Sequence, residues 1–151
     1  MYTAGRWLPV PLSGAALTGR SGAFMVYYKE ALYVFGGYSG SACSDWGKIN
    51  LKTLSWETPA GYAAIPSAVI SPGGALVGSR VYLFAGDAGK TIYSLDLENI
   101  AGGWAHIGSF PSNSYGHTAC ALGGRIFIVG GTNTPAPTVC LASNILLEFT
   151  P

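Results

Sequence analysis

The chain has 151 residues, only 10% of them charged, and Lys+Arg 8 against Asp+Glu 7 leaves a net charge of +1. That balance offers no basic stripe for a phosphate backbone and no charged tail, which argues against nucleic acid as a partner. No apolar run reaches the ~18 residues of a membrane helix, and the 22 glycines and 9 prolines between short apolar runs predict short strands and tight turns.

In chain order, residues 1–8 read as one short strand around Arg6-Trp7-Leu8, stopped by Pro9, and residues 10–20 as a loop. A strand is expected over 21–28, a polar turn at Lys29-Glu30, and a second strand over 31–37. After a small-residue loop, a third strand covers 46–51 and a fourth 54–57. The cycle then repeats, with strands over 68–77, 80–86, 91–95 and 104–107. A third cycle runs over 116–122, 125–131 and 144–149.

The second strand of each cycle carries the clearest pattern. Ala31-Leu32-Tyr33-Val34-Phe35-Gly36-Gly37 returns as Arg80-Val81-Tyr82-Leu83-Phe84-Ala85-Gly86 and as Arg125-Ile126-Phe127-Ile128-Val129-Gly130-Gly131. Trp7, Trp56 and Trp104 keep the same beat, forty-nine and forty-eight residues apart. A period near 50 with a strand closing on glycines, a polar loop and a later Trp resembles the kelch family. Arg20-Ser21-Gly22 and Tyr115-Gly116-His117 match the Arg or His that often introduces its first strand. Ala85 replaces the first glycine of the second repeat, and the third repeat has no Trp of its own.

The resemblance implies an all-β fold of kelch-type β-propeller blades. Blade 1 covers about 20–57, blade 2 about 66–107, and blade 3 about 115–150 with residues 1–8 as its fourth strand. Gly36, Gly37, Gly86, Gly130 and Gly131 are its repeat markers, and Trp7, Trp56 and Trp104 are read as packing residues of the outermost strands. Continuing cyclically from Trp104 to Trp7 spans 54 residues, close to the period. Three blades fall short of the roughly four to eight that close a ring. Two bare faces of about 500 Å² would each forfeit about 12 kcal/mol. The expectation is therefore a homo-oligomer, two arcs closing a six-bladed ring, or else a section of a longer six- or seven-bladed protein.

Chemistry-bearing patterns are sparse. His106 and His117 have no second histidine nearby of the kind that kelch-type copper enzymes use, and His117 is read as structural. There is no Gly-x-Ser-x-Gly elbow and no phosphate-loop lysine, so no catalytic residue, metal or cofactor is expected. The reading is a binding and assembly module, with a lectin or carbohydrate-active enzyme as the competing class. Its binding face gathers the loops 37–46, 86–91 and 131–142, with Tyr38, Asp45, Asp87, Lys90 and Asn133 as contacts to a protein or glycan. Cys120 is read as a buried small hydrophobe. Cys43 and Cys140 fall in equivalent loops, where an intermolecular disulfide would need an oxidising compartment. The charge-poor, Gly/Ala/Ser/Thr-rich composition leans towards an extracellular protein.

Overall fold

The computed structural model describes residues 2–3, 5–84, 90–110, 116–131 and 144–148. Among them the chain forms β1 (Tyr2–Thr3), β2 (Arg6–Trp7), β3 (Phe24–Tyr28), β4 (Ala31–Phe35), β5 (Trp46–Asn50), β6 (Ser55–Glu57), β7 (Gly73–Val77), β8 (Arg80–Phe84), β9 (Thr91–Asp96), β10 (Ala105–Ser109), β11 (Thr118–Leu122), β12 (Arg125–Val129) and β13 (Asn144–Glu148). One 3-10 turn lies at Ile100–Gly102, and these residues contain no α-helix.

The strands build antiparallel sheets in chain order: β3-β4-β5-β6 (blade 1), β7-β8-β9-β10 (blade 2) and β11-β12-β13 (blade 3). The architecture is all-β, with the four-stranded antiparallel sheets of propeller blades. Registers repeat from blade to blade. Phe24 pairs with Phe35, Gly73 with Phe84 and Thr118 with Val129, so each first strand begins where each second strand ends.

Two expected strands differ. Residues 1–8 do not form a single strand: β1 and β2 pair as a small hairpin, because Gly5 at φ 76° lets the chain reverse between them. The first strand of blade 2 begins at Gly73, not near residue 68. Before it, Val69 is drawn into an isolated bridge with Cys43.

Alternation along each strand sends successive side chains to opposite blade faces. One core cluster joins Tyr33, Phe35 and Trp46 of blade 1 to Val81, Leu83, Tyr93 and Leu95 of blade 2. A second joins Tyr82, Phe84 and Ile92 of blade 2 to Ile126 and Ile128 of blade 3. Both seams narrow at the adjacent pair Gly73-Gly74. A Cβ on Gly74 would lie 2.3 Å from Phe24 Cε1, and one on Gly73 would lie 2.4 Å from His117 Cδ2. Each glycine thus lets a neighbouring blade approach the inner strand of blade 2 from its own side.

The tryptophans divide unevenly. Trp46, which repeats in neither of the other blades, is 2% exposed and is the largest fully buried side chain. Trp104 meets Phe35 and Trp46 edge-on, with centroids 5.8 and 6.3 Å apart. Both indoles donate to the carbonyl of Ala63, at 2.8 and 3.2 Å. Trp56 is half-buried. Trp7 is 82% exposed, so within this chain it does not pack as the repeat reading expects. Cys120 is also exposed, on the open side of blade 3, which corrects the expectation of burial.

Candidate binding face

The second strand of every blade ends, and the third begins, at one edge: Phe35 pairs with Trp46, Phe84 with Ile92 and Val129 with Asn144. In blade 1 the connection across this edge is visible throughout. Gly36 and Gly37, at φ 59° and 104°, turn the chain out of β4. The Gly36 amide donates to Asp45 O at 3.1 Å, and the Cys43 amide to Gly37 O at 2.9 Å. The incoming segment from blade 1 to blade 2 locks onto this loop, as Gly37 N donates to Val69 O and Val69 N to Cys43 O, both at 2.9 Å.

Arg20 braces the same loop from beneath. Its two terminal nitrogens donate to Asp45 Oδ1 and Oδ2 at 2.7 and 2.8 Å, and Nη1 also reaches Gly36 O at 3.1 Å. The pairing raises the guanidinium pKa and holds the Asp45 carboxyl below the usual carboxylate range, chiefly through the hydrogen bond between them. Tyr38 exchanges backbone hydrogen bonds with Ser21 at 2.9 and 3.0 Å, and its side chain is 45% exposed. Cys43 is buried with Sγ 3.2 Å from Ser39 Oγ.

Of the expected contacts, Tyr38 and Asp45 therefore share one braced loop. Tyr38 is presented to solvent, whereas Asp45 spends both oxygens on Arg20. Lys90 is exposed at the corresponding edge of blade 2, where its carbonyl accepts from Phe110 N at 2.6 Å. Gly86, Asp87, Asn133 and Cys140 lie outside the described residues. Gly130 and Gly131 take positive φ, 74° and 98°, as Gly36 and Gly37 do. His117 is buried between blades 2 and 3, with ring centroids 5.6 Å from Phe110 and 6.2 Å from Phe84, and burial lowers its pKa.

A cleft of about 390 Å³ opens between blades 1 and 2 towards the other edge. Tyr33 and Lys48, cross-strand partners on β4 and β5, form one side, and Glu98 and Asn99 form the other. Its charges are already matched. Lys48 Nζ donates to Glu57 Oε2 at 2.8 Å, and Glu98 accepts from Lys29 and from Tyr28 Oη. An uncharged polar molecule suits such a lining better than an ion. Sequence reading missed this cleft because its two sides come from different repeats. Among the described residues, no group of three or more His, Cys, Asp or Glu is placed to hold a metal ion. Nor is any helix there long and apolar enough to cross a membrane.

The all-β fold, with its four-stranded antiparallel sheets, is that of β-propeller blades. No family model matches the chain. It is 39% identical over 66 residues to an N-acetylneuraminate epimerase of Vibrio cholerae, covering 43% of this chain and 17% of that protein. A second N-acetylneuraminate epimerase, from Yersinia enterocolitica, is 28% identical over 102 residues, 66% of this chain and 26% of that one. The human leucine-zipper-like transcriptional regulator 1 is 25% identical over 145 residues, 86% of this chain and 17% of that protein. The chain thus spans between 17% and 26% of the length of these relatives. These likenesses are consistent with a kelch-like family.

Proposed function

We propose that this chain is a non-catalytic binding and self-assembly module, a kelch-type propeller platform that offers its loop-bearing edge to a protein or glycan partner. The observation that carries this reading is the common edge at which all three blades pass from second to third strand. Loops gathered on one rigid edge give a broad surface whose shape the scaffold holds. In blade 1 the Arg20–Asp45 pair holds the loop while Tyr38 projects from it. Tyr38, Lys90, Asp87 and Asn133 are the proposed contacts, and Asp45 contributes by fixing the loop. The second part of the reading is homo-oligomer formation through the outer blade faces.

A carbohydrate-directed reading has its own support. Two of the relatives are named for epimerisation of N-acetylneuraminate, and the cleft between blades 1 and 2 combines polar and apolar groups. A glycan array and a pull-down with Tyr38→Ala and Lys90→Ala variants separate the possibilities. Saturable glycan binding lost in Tyr38→Ala supports a glycan-binding edge. Glycan binding that survives both edge variants but is lost in Asn99→Ala moves the site to the cleft. Turnover of a bound sugar overturns the non-catalytic reading.

A further inference from the structure

The cleft between blades 1 and 2 holds a polar group that the fold itself leaves unused. Tyr33, the third residue of β4, is 6% exposed, and its ring packs against Phe35 and Trp46 with centroids 6.5 and 6.4 Å away. Its hydroxyl makes no hydrogen bond among the described residues. Nor is that hydroxyl sealed in, since it borders the cleft. A hydroxyl drawn out of bulk water without a partner is unfavourable to keep. The matching strand position in blade 3 is Phe127, so the repeat accepts a plain phenyl ring there. Packing accounts for the ring of Tyr33 but not for its oxygen.

The opposite wall supplies a second such group. Asn99 is exposed, and its carboxamide makes no cap to the 3-10 turn that follows it. The connector from blade 1 to blade 2 closes the cleft with Pro59 and Ala60. It abuts the turn because Gly61, at φ 75°, carries no side chain; a Cβ there would lie 2.8 Å from Ala101 Cα. The Tyr62 amide donates to Pro59 O at 3.1 Å, and the next carbonyl, Ala63 O, accepts from both Trp46 and Trp104. The walls are therefore braced before anything binds, which spares a ligand the entropy of ordering them. All of the lining lies within residues 33–101, in two blades joined within the chain.

Charge and hydrogen-bonding capacity narrow what fits. The two charged groups on the lining, Lys48 and Glu98, are already paired with Glu57 and Lys29. A carboxylate entering here would have to draw Lys48 from Glu57 while facing Glu98. The Tyr33 hydroxyl and the Asn99 carboxamide can each both donate and accept, as the hydroxyls of a sugar also do. Pro59, Ala60 and Ala101 offer apolar contact to the C–H face of a ring. At about 390 Å³ the cleft falls within the size range of small-molecule sites.

We infer that this cleft binds a small uncharged saccharide through Tyr33 Oη and the Asn99 carboxamide, and that it discriminates against sugars carrying a carboxylate. The inference rests on the carbohydrate-directed reading of the chain and not on its loop-bearing edge. Tyr33 is the positioning choice that a sequence repeat alone does not require, and Asn99 is its counterpart across the cleft.

Amide chemical shifts of the isotope-labelled chain, titrated at millimolar concentration with maltose, lactose, diacetylchitobiose and N-acetylneuraminate, test it. At least one of the three neutral sugars should give saturable shifts at Asn99 and Ala101. N-acetylneuraminate should bind at least about tenfold more weakly, by the loss of about one charge-matched contact. Tyr33→Phe removes one hydrogen bond to the ligand and should weaken neutral-sugar binding about tenfold. Because the hydroxyl has no partner in the fold, the same variant should melt no lower than the wild type. Asn99→Ala, at an exposed position, should also weaken binding and leave the fold intact by circular dichroism. Shifts confined to Tyr38 and Lys90 overturn the cleft site and leave the carbohydrate-directed reading standing. No saturable shift with any of the sugars overturns both. N-acetylneuraminate binding as tightly as the neutral sugars overturns the discrimination. A lower melting temperature in Tyr33→Phe shows a structural hydroxyl, and unchanged affinity an unused one; either overturns its role.

Discussion

Arg20 and Asp45 meet as a two-pronged ion pair, with the guanidinium 6% exposed and the carboxylate 45% exposed. The pair joins the lead-in of blade 1 to the far end of its long loop. Asp45→Ala would leave a largely buried cation without its partner. A loss of about 1–3 kcal/mol in urea unfolding is expected, reduced from the fully buried case because water reaches the carboxylate. The folded carboxyl is held below its unfolded pKa of about 4, so its contribution is complete above that pH and fades as pH falls through the folded value. The gap between wild type and Asp45→Asn should therefore be constant from pH 5 to 8 and shrink below about pH 4. A gap independent of pH down to 2 would contradict this.

His117 gives a second pH window. Its burial between Phe84 and Phe110 lowers its pKa, so the unfolded chain takes up a proton first. Stability should be complete above about pH 6.5 and decline below it, by at most about 1.4 kcal/mol per pH unit. His117→Phe should flatten that decline between pH 6.5 and 5 in denaturant titrations. An unchanged slope would show that His117 is not the group responsible.

The Gly74–Phe24 contact should behave as a coupled pair. Gly74→Ala places a methyl against the Phe24 ring and should cost about 2 kcal/mol by forcing the inner strands apart. In a Phe24→Ala background the same substitution should cost at least about 1 kcal/mol less. Additive losses in the double-mutant cycle would mean that the two blades do not meet there.

Gly37 is closed to side chains for two reasons. Its φ is 104°, and a Cβ would stand 2.7 Å from Ser21 O. Gly37→Val should lose about 2–4 kcal/mol, and Gly131→Val, at φ 98°, should also be destabilised. Gly40→Ala, at φ 91° with open space around it, should lose only about 1 kcal/mol. Thermal melts giving equal effects at Gly37 and Gly40 would leave steric closure without a role.

Strand positions were legible in the sequence because each blade repeats an apolar run between glycine turns. Contacts made once were not. Trp46, the largest buried residue, aligns with Ile92 and Asn144 in the other blades, so no repeating aromatic marks it. The Arg20–Asp45 pair and the Gly73-Gly74 approach depend on how segments meet in space, which periodicity does not encode. The exposure of Cys120 has a related origin. Alternation separates two faces of a strand, but at an outer blade it does not say which face is covered. Tyr38 could be singled out because it follows the glycines that carry the loop outward.

The stacking of blades around the inner strand of blade 2 is the core of the account, and nuclear Overhauser contacts across the two seams test it most directly. The Gly74 α-protons should show cross-peaks to the Phe24 ring and the Gly73 α-protons to the His117 ring. Neither glycine should show the other's partner. Absence of both sets, or Gly73 in contact with Phe24, would contradict the blade order and the facing of every seam built on it.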